Sequence, residues 1–261
     1  MFPISDDNLE PGVPIVTWSI IGACIAVFLW QMSLTGNAAE RAVFEFGAVP
    51  ATLFGKPDVA AVVPAWATIL TSMFMHGGLA HIGGNMLYLW IFGDNVELAM
   101  GRVKFLAFYL ICGTIAALTQ ALQSPESTVP LIGASGAISG VLGAYLLLQP
   151  FAHVRVIIMP LPFFIRVISV PSLVVLGFWF VIQFLSGLSS NADKGGVAFW
   201  AHVGGFIAGM VLMPIFKKRD VTLFQKGARR VFDARRGSRD LDRRPGPWEE
   251  GREDDRRGPW G

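Results

Sequence analysis

Charge is scarce in this chain: 15% of its 261 residues are Asp, Glu, Lys or Arg, against 53% that are hydrophobic. So little charge cannot clothe a soluble globule of this size, and the composition is that of a polytopic membrane protein. Cysteine is scarcer still. Cys24 and Cys112 each sit inside an apolar run, where a thiol acts as a small hydrophobe, so neither a disulfide framework nor a cysteine metal site follows. No Lys or Arg precedes the first apolar run, whereas Asp6, Asp7 and Glu10 do, which argues for a retained helix rather than a cleaved leader. No internal repeat with paired broken helices is found, which removes the main signature of a small solute transporter.

The few charges are unevenly placed. Residues 1–216 carry 7 Lys/Arg and 10 Asp/Glu, while 217–261 carry 14 and 9. The chain therefore divides into a short amino-terminal segment, 1–14, a membrane body, 15–216, and a basic tail, 217–261. The tail is rich in Arg, Asp, Gly and Pro and is expected to be disordered. Lys217-Lys218-Arg219 is read as a stop signal for the last span rather than as a headgroup site.

A helix needs about 20 mostly apolar residues to cross a bilayer. Six runs qualify, 15–34, 80–100, 103–122, 133–148, 171–188 and 199–216, and predict an all-α membrane protein built as a six-helix bundle. A seventh run, 59–75, is short, is interrupted by Pro64 and lies within the long connection 35–79, so it is expected to be interfacial or re-entrant. Loop charges agree with six spans and an inside amino terminus. The inside then holds Arg102, Lys104, Arg155, Arg166 and the tail, and the outside only Arg41, Lys56 and Lys194.

Polar groups at membrane depth point to the chemistry. Gly133-Ala134-Ser135-Gly136 opens an apolar helix with a hydroxyl in its first turn, and His202 lies in Ala201-His202-Val203-Gly204-Gly205 of the last run. Each has a bland reading. Ser135 could cap its helix, the small residues Gly136, Gly140, Gly143 and Ala144 could serve close packing alone, and His202 could bond a carbonyl across an interface. Gly205 and Gly209, however, form a G-x-x-x-G pair that lets the His202 helix approach the Ser135 helix, which is rich in small residues. Ser135 and His202 within hydrogen-bond reach would make a nucleophile and its base.

A third element, Met75-His76-Gly77-Gly78-Leu79-Ala80-His81-Ile82-Gly83-Gly84-Asn85, places His81 and Asn85 on one helix face. His76 and His81 are five apart with no acidic residue between them, unlike a helical zinc pair, and no metal or other cofactor is expected. Donors aimed at a developing oxyanion, His76 or His81 with Asn85 and the Ser135 N–H, are the better account, with a structural role open for His81. His153 is expected in a solvated loop on the opposite side. Asp94 and Glu97 are expected to cap or to bridge to Arg102, so no carboxylate completes a triad.

With these motifs in six-span order the chain resembles the rhomboid intramembrane serine proteases over residues 15–216. The resemblance implies a rhomboid-like bundle with a partly embedded first loop and Ser135 as nucleophile with His202 as base. It implies His76 and Asn85 as oxyanion donors, and His81, Gly133 and Gly136 as supporting residues. It further implies that the fifth helix and the loop 189–198 act as gate and lid. Two departures stand out: Trp66 is followed by Ala67 where many rhomboids have Trp-Arg, and Ser139 occupies the position one turn after the nucleophile where some have a tyrosine. Another aromatic is therefore expected to hold His202. The expected activity is cleavage of membrane-anchored protein segments through a Ser-His dyad and an acyl-enzyme. The alternative is a non-catalytic binder of membrane helices. The expected partners are such substrates and the lipid bilayer, not nucleic acid, and the expected location is a bacterial inner membrane with both termini cytoplasmic.

Overall fold

The structure is a computed structural model that describes residues 2–7, 12–56, 62–161, 164–190 and 196–225. Most of the expected tail, the seventh run's first residues and the centre of the 189–198 loop lie outside the described residues. In chain order the elements are β1 (Phe2–Asp6), α1 (Ile15–Ser33), α2 (Asn37–Phe46), α3 (Pro50–Leu53), α4 (Ala65–Ser72), α5 (Leu79–Met100) and α6 (Arg102–Gln123). Then follow α7 (Ser135–Leu148), β2 (His153–Leu161), β3 (Phe164–Pro171), α8 (Ser172–Ser189) and α9 (Phe199–Phe216).

Each of the six long apolar runs is helical, as α1, α5, α6, α7, α8 and α9. Among the described helices α1, α6, α8 and α9 are long and apolar enough to cross a membrane. Helix α5 has the length, but its glycines, two asparagines, Asp94 and Glu97 dilute its apolar character. Helix α7 has 14 residues, about 21 Å at 1.5 Å per residue. Among the described residues of the seventh run the helix is α4, whose 8 residues fall far short of a span. Outward faces are apolar: Phe178 and Leu185 on α8 and Val211 on α9 are 58%, 55% and 62% exposed, an arrangement suited to lipid and costly in water.

Helix α7 forms the centre of the bundle, with Ala137 through Tyr145 all buried. It lies against α9 through glycines. A side chain on Gly205 would run into the Gly136 carbonyl, and one on Gly209 into the Gly140 carbonyl. Only glycine permits the two backbones to come this close.

The expectation of an all-α chain requires correction. Three strands form an antiparallel sheet in the order β1-β2-β3. Buried Val154 and Val156 alternate with exposed Arg155 along β2, the period-two pattern of a half-buried strand. A search for apolar runs of about 20 residues passes over strands of 9 and 8 residues. His153 is exposed as expected, but it begins a strand, with its ring 3.8 Å from Asp7.

The ends of the helices near the sheet are held by two carboxylates. Glu97 accepts hydrogen bonds from Val16 N (3.0 Å), Thr17 N (2.7 Å) and Thr17 Oγ1 (2.8 Å), so it caps α1 from α5 rather than bridging to Arg102. A carboxylate on otherwise unpaired N–H groups of a first turn is favourable for both hydrogen bonding and the helix dipole. Asp6 Oδ2 accepts from Tyr145 Oη at 2.7 Å and Asn95 Nδ2 at 3.0 Å, which ties β1 to α7 and α5.

Burial pushes the Asp6 carboxyl up from 3.8 to about 7, outweighing the opposing hydrogen bond from Tyr145. Folding then favours the protonated form. The folded state holds more protons than the unfolded state between these values, so stability falls as pH rises from about 4 through about 7. Thermal unfolding of the detergent-solubilised protein should show this decline, and Asp6→Asn should flatten it. A melting curve for the variant with the same pH slope as the parent would exclude Asp6 as its source.

Candidate active site

Three helices begin at one level and deliver the site. Ser135 is the first residue of α7, His202 lies in the first turn of α9, and His81 and Asn85 lie in the first two turns of α5. The loop leading to Ser135 is pinned on its way in. Ala48 and Leu131 exchange backbone hydrogen bonds, and Gly133 N donates to Ser72 O at 2.9 Å, so the short helices of the first connection brace the approach to α7. At α9, Gln120 Oε1 accepts from Trp200 N (3.1 Å) and Ala201 N (3.2 Å), capping the turn that carries His202.

Ser135 Oγ lies 2.8 Å from His202 Nε2. On the other side of the imidazole, Nδ1 lies 2.7 Å from Gln183 Oε1 of α8. Trp179, one turn earlier on α8, lies beside the His202 ring with centroids 5.8 Å apart and planes 34° apart. It is the aromatic that the departure at Ser139 calls for. Ser139 itself turns back along α7, donating to Ser135 O at 2.6 Å.

These groups open on a cavity of about 950 Å³ whose lining includes His81, Asn85, Gln120, Ser135, Trp179 and His202. His76 is not in the lining. Its backbone is clipped by Gln31, which donates to His76 O at 3.2 Å and accepts from His76 N at 3.0 Å. Its ring packs edge-on against His81, centroids 5.2 Å apart. His81 Nδ1 accepts the Gly77 N–H at 3.2 Å. In the neutral ring that acceptor leaves the proton on Nε2, which becomes a donor.

Gly133 shapes the space between His81 and Ser135. Its φ is +126°, and the place a Cβ would take is 2.8 Å from His81 Nε2 and 3.7 Å from Ser135 Oγ. The missing side chain is therefore room for a small atom beside both groups. Asn85 Nδ2, also buried, has no hydrogen-bond partner among the described residues. A buried amide without a partner is costly unless something else supplies the acceptor. Chemically, the arrangement can deprotonate a hydroxyl at Ser135 and donate hydrogen bonds to an anion formed next to it.

Comparison with known proteins agrees in kind. The family model described as Rhomboid domain matches residues 64–219.

The chain belongs to the rhomboid family.

It is 31% identical over 204 residues to rhomboid protease GluP of Bacillus subtilis, covering 77% of this chain and 34% of that protein. It is 28% identical over 206 residues to the mitochondrial Rhomboid protein 1 of Saccharomyces cerevisiae, covering 75% and 51%. With the human presenilin-associated rhomboid-like protein, mitochondrial, it shares 29% over 158 residues, covering 59% and 38%. The chain thus spans about a third to a half of the length of these relatives. Rhomboid membership and its apolar helices make it an integral membrane protein.

Ser135, His202, Asn85, His81, Gly133 and Gly136 are brought together much as the motifs imply, whereas His76 stands behind His81. Sequence reasoning did not single out Gln183, Trp179 or Gln120. Gln183 and Gln120 carried a signal, as polar side chains within otherwise apolar runs.

Gly133→Ala tests the geometry. The added methyl meets His81 and strains a backbone at φ +126°. Labelling of Ser135 by a fluorophosphonate, read by intact mass, should slow at least about tenfold, since it draws on the same activated hydroxyl and anion donors. Unchanged labelling would mean that this space is not part of the site.

Proposed function

We propose that this rhomboid is an intramembrane serine endopeptidase that cleaves membrane-anchored protein segments through a Ser135–His202 dyad and an acyl-enzyme. The observation that carries the reading is the 2.8 Å contact between Ser135 Oγ and His202 Nε2, both lining one cavity at the ends of apolar helices. Ser135 Oγ attacks the scissile carbonyl while its proton passes to His202 Nε2. His81 Nε2–H, Asn85 Nδ2–H and the Ser135 N–H receive the oxyanion. Collapse breaks the C–N bond, and His202 returns the proton to the leaving amine. Water then repeats the sequence on the ester, again with His202 as base. In this scheme His81 takes the donor role that the resemblance implied for His76, because His81 lines the cavity and His76 does not. His76 becomes the support of His81.

The reading extends to topology. We take α1, α5, α6, α7, α8 and α9 as six spans, the first connection as partly embedded, and both termini as cytoplasmic in a bacterial inner membrane. Support comes from where the charges gather. The α5–α6 turn with Arg102, the sheet with Arg155 and Arg166, and Lys217–Arg219 all lie at the end of the bundle away from Ser135. Lys218 N bonds Ala99 O, Gln225 N bonds Leu148 O, and Asp6 bonds Asn95 and Tyr145. Basic residues concentrate on the cytoplasmic side, so the dyad faces the opposite leaflet.

A regular substrate helix keeps its carbonyls bonded and wrapped by side chains, so it must unwind before Ser135 can reach one. Substrates with Gly, Pro or polar residues just inside the outer face, and a small residue before the cut, fit this demand. In a model single-span substrate, cutting should favour Ala over Leu, Phe or Asp at that position and should stop when the helix-weakening residues become Leu. Preferential cutting after Phe or Asp, or of the all-leucine helix, would contradict it.

Two sets of variants test the mechanism. Ser135→Ala and His202→Ala, inserted and purified normally, should each lower cleavage by at least about a thousandfold. Retention of a few per cent of activity in either removes the dyad, whereas a parent protein that neither cleaves nor is labelled at Ser135 is the non-catalytic binder of membrane helices. Asn85→Ala and His81→Ala should each reduce kcat by about a hundredfold with little change in KM. If His76→Ala lowers kcat as much while His81→Ala only weakens binding, the two histidines have the opposite roles.

A further inference from the structure

We propose that Gln183 is a positioning residue for the dyad: its side-chain oxygen accepts the Nδ1–H of His202 and so keeps Nε2 free to receive the Ser135 proton. The inference rests on the protease reading above and names a third member for a site in which the sequence places no carboxylate.

An imidazole in a dyad can fail in two ways. The ring can swing away from the serine, or it can carry its single neutral-state proton on the wrong nitrogen. In the common triad a buried carboxylate prevents both by accepting from Nδ1, and losing that acceptor lowers turnover steeply even when the ring stays in place. Gln183 Oε1 occupies the equivalent place, 2.7 Å from Nδ1, while Ser135 Oγ is 2.8 Å from Nε2. Both residues are buried, each 9% exposed, so water is a poor substitute for the missing acceptor. Trp179 lies beside the ring from the same helix, so two α8 side chains flank the imidazole.

An amide oxygen does this without a formal charge, which suits a site at membrane depth where an unpaired carboxylate would be costly. During attack the Oγ–H proton moves to Nε2, the Nδ1–H stays on the imidazolium, and Gln183 bonds it throughout. The proton leaves again from Nε2 to the amine. Gln183 neither gains nor loses a proton. The acceptor comes from α8, whose outer face is largely exposed apolar surface, so the dyad is complete only while α8 stays against α9.

The test compares Gln183→Met, close in size but without the oxygen, with Gln183→Glu, which keeps an oxygen and adds a charge. Cleavage of a model single-span substrate is followed across pH, with thermal melting of each variant to confirm folding. Among the described residues, the titratable groups facing His202 are Ser135 on α7 and, across the cavity, His81 on α5; the polar residues near it on α6 and α8, Gln120 and Gln183, carry no charge. Gln183→Met should lower kcat at least about tenfold at every pH, with KM within about twofold. Gln183→Glu should keep alkaline activity and move the acid limb of the kcat profile upward by about one pH unit, because a carboxylate beside Nδ1–H favours the imidazolium. A packing role alone would not move that limb. Parent-like kcat in Gln183→Met, or an unmoved acid limb in Gln183→Glu, overturns the proposal. Parent-like cleavage by Ser135→Ala would instead overturn the serine-protease reading on which the inference rests, so the two failures are distinguishable. If Gln183→Met does not fold, the acid limb of Gln183→Glu decides alone.

Discussion

The close contact of α7 and α9 is the constraint on which the rest depends. Ser135 and His202 are 67 positions apart and lie on different helices, and neither helix has a polar face that would draw it to the other. In hydrocarbon there is little hydrophobic drive between helices, so van der Waals contact must supply it. Gly136 and Gly140 on α7 meet Gly205 and Gly209 on α9, with backbone carbonyls where side chains would otherwise stand. A 2.8 Å contact between Ser135 and His202 tolerates little error. A methyl at either α9 glycine would push the helices apart by more than that tolerance.

The bundle separates its tasks along its length. At one end, the first turns of α5, α7 and α9 carry polar side chains into a cavity, with α6 and α8 adding Gln120 and Gln183 from their last two turns. At the other end, Glu97 and Asp6 knit α1, α5, α7 and β1 together, and the basic residues gather. Each end satisfies buried polar groups differently. The electrostatic end pairs carboxylates with helix-end N–H groups, a hydroxyl and an amide. The site leaves Asn85 Nδ2 without a partner among the described residues, a cost that makes sense where an acceptor arrives with the substrate.

Much of this was legible in the sequence. Six apolar runs became six helices because the spacing of charges and prolines leaves few other ways to bury them, and the small-residue spacing on α7 and α9 announced the contact that joins Ser135 to His202. The sheet was not legible at the scale of a span search, although Val154, Arg155 and Val156 show the alternation on closer reading. That His81 rather than His76 lines the cavity was not legible either. Both precede or open α5, and only the turn at Gly77 and the room at Gly133 decide which ring reaches the cavity. Gln183 and Trp179 escaped notice because a lone Gln or Trp in an apolar helix has many bland explanations, and only the pairing of α8 with α9 sets them beside His202.

The most direct test of the account is an experimental structure of the protein carrying a phosphonate inhibitor. Phosphorus should be bonded to Ser135 Oγ, with a phosphoryl oxygen within about 3.2 Å of both His81 Nε2 and Asn85 Nδ2. An adduct on any other residue, or a phosphoryl oxygen turned away from both donors, would contradict it.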